Sequence, residues 1–96
     1  MVYLTIRCDP LPGREDEFDR LLTQRSKEFW TGQPGVKSYR VYGDKLLGFP
    51  ERTIMIEVED FGTLQRILDA DEHRPLRKEF MTHVARIESQ ILDAIV

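Results

Sequence analysis

His73 is the side chain best placed to do chemistry in this 96-residue chain. It stands three positions before Leu76 and seven before Phe80, on the inward stripe of a 3.6-residue pattern. A neutral imidazole there could take a phenolic proton and leave an electron-rich carbanion, which reacts with dioxygen directly, without flavin or metal. The structural role open to the same residue is a hydrogen bond near its helix start. Glu57, Arg7 and Arg40 form a second candidate set. They could hold an anionic substrate or tune the base, with Arg7 or Arg40 stabilising an enolate-like anion. They could equally be a structural ion-pair network, because buried charges must be paired. Trp30, Tyr39, Tyr42, Met55 and Phe80 could wall a flat cavity for an aromatic ring, or could simply be core. Trp30, at a helix end, is the one most open to a ligand.

Several other chemistries are not expected. His83 has no companion ligand at i,i+4, and the pair His73 and His83 has no zinc signature, so no metal is expected. Cys8, the single cysteine, excludes an internal disulfide and reads as a small packed residue. No glycine loop of phosphate-binding type is present, and no cofactor is implied. Ile54-Met55-Ile56-Glu57-Val58 lacks the aromatic pair on which an RNA-binding sheet stacks bases. A net charge of −3 likewise disfavours nucleic acid and anionic membranes as partners. No apolar run has the length of a membrane span, and the N-terminus lacks a signal-peptide pattern, so the expected location is cytoplasmic.

The elements that must position these residues follow from periodicity. Residues 1–96 are expected to form one domain, because the length leaves no room for a second core. The run Arg52 to Phe61 alternates, with Ile54, Ile56 and Val58 on one side and Thr53, Met55, Glu57 and Glu59 on the other. That is a half-buried strand. Val2, Leu4, Ile6 and Cys8 alternate in the same way and are stopped by Pro10, Pro12 and Gly13. Arg14 to Trp30 has a helical stripe of Phe18, Leu21, Leu22, Arg25 and Phe29, with Asp16 and Arg20 spaced to pair. Gly32 is placed to cap it. Val36 to Gly43 is a strand with Tyr39 and Val41 toward the helices, and with Val36, Ser38, Arg40 and Tyr42 opposite. Leu46, Leu47 and Phe49 then form an apolar cluster of the kind that covers a pocket or a partner chain.

Asp60 can cap a second helix with Phe61, Leu64, Ile67 and Leu68 inward, and Asp71 can cap again before Pro75. Val84 to Val96 fits helix or strand by pattern. Topology arbitrates, since strand–helix–strand–strand–helix leaves a three-stranded sheet that a fourth strand completes. The expected class is therefore α+β, a ferredoxin-like βαββαβ domain with a four-stranded antiparallel sheet.

Pro12-Gly13-Arg14 before Glu17-Phe18, the run Gln33-Pro34-Gly35-Val36-Lys37-Ser38, and Asp69-Ala70-Asp71-Glu72-His73 before Leu76 together resemble the antibiotic-biosynthesis monooxygenase-like group of the dimeric α/β-barrel superfamily. The likeness spans essentially the whole chain. It implies a homodimer whose sheets pack face to face into a barrel with the helices outside. Arg7, Arg40, Glu57, Arg86 and Glu88 would then line its interior or seam. It also implies a cofactor-independent monooxygenase acting on a small aromatic, hydroxyaromatic or quinol ligand, with His73 matching a helix-start histidine common in the group. The haem-degrading branch is marked by an Asn on the first strand and a Trp ending the third, and this chain has neither. Two other classes stay open: a non-catalytic dimeric module that binds a small ligand or mediates assembly, and an isomerase- or dehalogenase-like lyase.

Overall fold

The computed structural model describes residues 1–46 and 48–96. Strands β1 (Val2–Pro10), β2 (Val36–Gly43), β3 (Arg52–Val58) and β4 (Val84–Asp93) form one antiparallel sheet in the order β2-β3-β1-β4. Helices α1 (Glu15–Leu21) and α2 (Lys27–Thr31) are joined by a π-helical turn over Leu22–Ser26, and α3 (Phe61–Asp69) and α4 (His73–Met81) follow β3. This is the βαββαβ arrangement, and the ambiguous tail is strand β4, hydrogen-bonded to β1 from Val2↔Asp93 to Pro10↔Val84.

Register fixes which side chains share a face. Val2, Leu4 and Ile6 pair with Val58, Ile56 and Ile54, and these look toward the helices. Tyr3, Thr5 and Arg7 pair with Glu57, Met55 and Thr53 on the other, outer face. Tyr39 and Val41 fall on the helix side, and Ser38, Arg40 and Tyr42 on the outer one. Val36 does not follow the strict alternation expected of it. A register shift between Val36 and Ser38 inserts an extra residue, so Val36 packs against the core beside Val58.

Phe18 is the hub of that core. It is fully buried on α1 and meets the Phe80 ring edge-on at 5.1 Å. Leu22, Leu64 and Ile67 are also fully buried, each contributing roughly 1.5–3 kcal/mol by its removal from water. Arg52 of β3 grips Asp19 of α1 with Nε–Oδ1 at 2.8 Å and Nη2–Oδ2 at 3.0 Å, fixing the helix over the sheet. Among the described residues the Asp16–Arg20 pair that spacing suggested does not form, and on α1 Arg14 pairs with Glu17 instead.

Helix starts differ in part from expectation. Asp60 caps α3, accepting a 2.7 Å hydrogen bond from the Thr63 amide. Thr63 rather than Phe61 turns inward; Phe61 is 53 % exposed. Glu72, not Asp71, occupies the N-cap of α4, and neither side chain caps it; the Asp71 backbone carbonyl accepts from the Arg74 amide instead. Leu46 projects into solvent, while Phe49 lies half-buried with the Arg86 guanidinium stacked 3.8 Å from its ring centroid. Leu47, grouped with them by sequence, lies outside the described residues.

Two glycines have positive φ, Gly13 at +83° and Gly35 at +90°. A Cβ on Gly13 would meet nothing within 4 Å, whereas one on Gly35 would sit 2.6 Å from the Thr63 methyl. Gly13→Ala should therefore cost only backbone strain, about 1 kcal/mol. Gly35→Ala should cost clearly more, because it also pushes the buried start of α3 off the sheet. Urea midpoints of the two variants measure the difference.

Candidate functional site

A cavity of about 230 Å³ opens between the helix-side face of the sheet and the helices. Leu4, Ile6, Ile54 and Ile56 form its floor, and Ile87 and Ser89 of β4 one flank. Trp30, Leu76, Phe80 and Met81 close it from the helix layer, so most of its wall is hydrocarbon. His73, Arg77, Ser26 and Ser89 supply the polar groups. Few polar groups converging in an apolar recess is the usual make-up of a small-molecule site.

α4 sets out its share by helical spacing. His73, Leu76, Arg77 and Phe80 stand at i, i+3, i+4 and i+7, one face of the helix. His73 is half-buried and boxed by aromatic rings, with Phe29 and Trp30 each 5.8 Å away between ring centroids. Burial lowers its pKa below the ordinary value of 6.5; the Leu68 backbone carbonyl opposes that shift and the Arg77 charge adds to it. At neutral pH the imidazole is uncharged and able to accept a proton.

Ser26 reaches the cavity because the π turn widens the helix. The Tyr39 hydroxyl donates to the Leu22 carbonyl at 2.8 Å and sits 2.9 Å from Ser26 Oγ, from which it can accept. Tyr39 is therefore occupied holding the π turn, and burial pushes its phenol pKa up while the Ser26 contact opposes. It does not line the cavity.

The residues singled out by sequence divide between the two faces of the sheet. His73, Trp30 and Phe80 meet at the cavity. Arg7, Arg40, Glu57, Tyr42 and Met55 lie on the outer face, so within one chain the sheet separates His73 from both arginines expected to stabilise an anion. Nor do the three charged residues cluster. Glu57 accepts from Tyr3 Oη at 2.9 Å and from Ser38 Oγ at 3.4 Å, while Arg7 faces Glu88 at 3.8 Å. Register explains this, since Arg7 is paired with Thr53, four residues along β3 from Glu57. A shallow recess bounded by Tyr3, Ser38, Arg40, Tyr42, Met55 and Glu57 occupies that face.

Arg77, which also lines the cavity, is not among the residues that the sequence singles out. The signal for it was present, an arginine one helical turn after the histidine. Ser26 had no sequence signal, because nothing in the run Leu22 to Ser26 announces a π turn. Among the described residues no group of His, Cys, Asp and Glu is arranged to hold a metal ion, and no helix is long and apolar enough to cross a membrane.

No family model and no curated protein matches the chain by sequence. Solved structures do match it. SnoaB, a cofactor-independent oxygenase from Streptomyces nogalater, superposes with a TM-score of 0.85 at 17% identity, over 97% of this chain and 91% of that one. A ferredoxin-like dabb family protein from Mesorhizobium loti gives 0.80 at 11%, over 99% and 97%. A Bacteroides thetaiotaomicron protein, provisionally described as an antibiotic biosynthesis monooxygenase, gives 0.75 at 18%, over 100% and 90%. The chain thus shares a ferredoxin-like fold with these structures. Identities this low establish the fold and leave the activity to the chemistry of the site.

The lowered His73 pKa has a consequence for stability. The unfolded chain binds this proton near pH 6.5 and the folded chain only at lower pH. Its contribution is therefore fully present above pH 6.5 and is lost as pH falls through the folded value. His73→Gln should flatten the fall in stability across that window and leave the slope above pH 7 unchanged, as read from urea unfolding at stepped pH.

Proposed function

We propose that this protein is a cofactor-independent monooxygenase for a small hydroxyaromatic or quinol substrate, held in the cavity beside His73. The observation that carries this is an uncharged imidazole facing an aromatic-walled, largely apolar recess. A volume of about 230 Å³ lies between the roughly 150 Å³ cavity that takes up benzene and the roughly 300–1,000 Å³ pockets of drug-sized ligands. One ring, or two fused rings, matches it.

His73 would remove a proton from the ring hydroxyl or from the activated ring carbon. The delocalised anion passes electrons to dioxygen and a carbon–oxygen bond forms. The hydroperoxide then collapses to a carbonyl as a proton returns and water leaves. Both electrons needed to reduce the second oxygen atom come from the substrate, so no cofactor enters the balance. Trp30 and Phe80 would hold the ring, and the hydrocarbon floor would keep water from the anion. The structural likeness to SnoaB supports the reading without deciding the substrate.

The outer sheet face would pack against a second copy. Among the described residues no helix covers it and the buried Thr5 hydroxyl has no hydrogen-bond partner, and Tyr42 and Leu92 are about half exposed there. Arg7, Arg40, Glu57 and Met55 would then lie in the barrel seam, and Leu46 at its margin.

Purified protein without added cofactor should consume oxygen with a panel of hydroquinones and anthrones, and His73→Ala should lower kcat about 10²–10⁴-fold. No uptake by the wild type, combined with ring ligands still bound in the cavity, would instead identify a non-catalytic ligand-binding module. In dilute solution the chain should sediment at twice its own mass. Met55→Glu, which plants a charge at the centre of the outer face, should shift it to the monomer while preserving the helix-side core.

A further inference from the structure

We propose that the substrate is not a neutral ring but an aromatic carboxylate, whose carboxylate is taken by Arg77 at the mouth of the cavity. This rests on the cavity being the substrate site. Arg77 lines the cavity one turn beyond His73, and it also lines a second, outward recess. His73 and Arg77 are the two residues common to both, so the pair stands where the solvent-facing recess adjoins the apolar cavity.

Among the described residues Arg77 makes no ion pair or hydrogen bond, unlike Arg52 and Arg14, whose guanidinium groups are held by carboxylates. Arg74 is in the outer recess, likewise without an ion pair, and Asp69 is its single acidic member. With His73 uncharged, two arginines against one aspartate leave one net positive charge. That matches a carboxylate, with one negative charge, better than a phosphate monoester. A guanidinium can take both carboxylate oxygens side by side, which would fix the ring's orientation as well as its affinity. The apolar ring enters, and the anion stays at the wet rim where its desolvation is smallest.

The test is equilibrium dialysis of the full chain with 1-naphthol and with 1-hydroxy-2-naphthoate at pH 7.5 and low salt. The acid should bind about tenfold more tightly, a preference that shrinks with added salt. Arg77→Gln should remove that preference while leaving naphthol affinity within about twofold, which also shows that the variant is folded. Arg77→Lys should keep part of it. Equal affinity for the two ligands, or a preference that survives in Arg77→Gln, overturns the carboxylate assignment and leaves the cavity as the site of neutral rings. Failure of both ligands to bind overturns the carboxylate and the cavity reading together.

Discussion

A four-stranded sheet has two faces, and this chain has helix enough for one. Everything else in the molecule follows from that shortage. The ladder puts Val2, Leu4, Ile54, Ile56 and Val58 on a single side, and the helices bury that side with Phe18, Leu22, Leu64, Ile67 and Phe80. The opposite side keeps Tyr3, Arg7, Arg40, Met55 and Glu57, too polar for a core and too regular for a random surface. The same alternation that makes the domain foldable also divides its charges. Strand parity leaves the strand arginines on the bare face, while the spacing of α4 brings half-buried His73 to the cavity with Arg77 exposed at its edge.

Packing under the helices is uneven, and the unevenness makes the cavity. At one end Phe18, Phe80 and His83 fill the space ring against ring, with Phe18 centred 5.1 Å from Phe80 and 6.1 Å from His83. Toward Trp30 and His73, the residues facing inward include the two small serines, Ser26 and Ser89. The π turn, pinned by the Tyr39 hydroxyl, brings Ser26 round to this point. A regular α-helix through Leu22–Ser26 would advance each side chain after the turn by a different angle. Trp30 would then leave the cavity wall. Local irregularity in α1–α2 and the shape of the site are therefore one feature, in keeping with the frequency of π bulges near functional positions.

Much of this was legible in the residues themselves. Period-two runs located three strands and their buried sides, and completion of the sheet settled a tail whose own pattern was undecided. The stripe on α4 put His73 inward beside Leu76 and Phe80. What alternation could not show were departures from alternation. The bulge that turns Val36 inward and the π turn that presents Ser26 depend on tertiary pairing, with β3 and with Tyr39 respectively. Grouping Arg7 and Arg40 with His73 had a different origin. Charge type suggested a common site, but sheet parity placed them on the far side. Parity had the stronger physical basis, because one residue's shift would turn every buried isoleucine into solvent.

The void beside His73 is costly for so small a protein. Fully enclosed, an empty space of about 230 Å³ would forgo roughly 5 kcal/mol of packing at about 24 cal/mol per Å³. This one, open beside exposed Arg77, Met81 and Ser89, forgoes part of that. Whole domains are stable by only about 5–15 kcal/mol. Water entering past His73 and Arg77 would recover little of this, since water finds few partners on walls of leucine and isoleucine. An aromatic ring of matching size would recover most of it, making its contacts with groups already in place. For such a ligand, binding energy and the missing core would be the same quantity. This ties the apolar walls to the polar mouth. On the proposed reading the walls would supply affinity for a flat ring, and the two basic side chains on one turn of α4 would select the ring and take its proton.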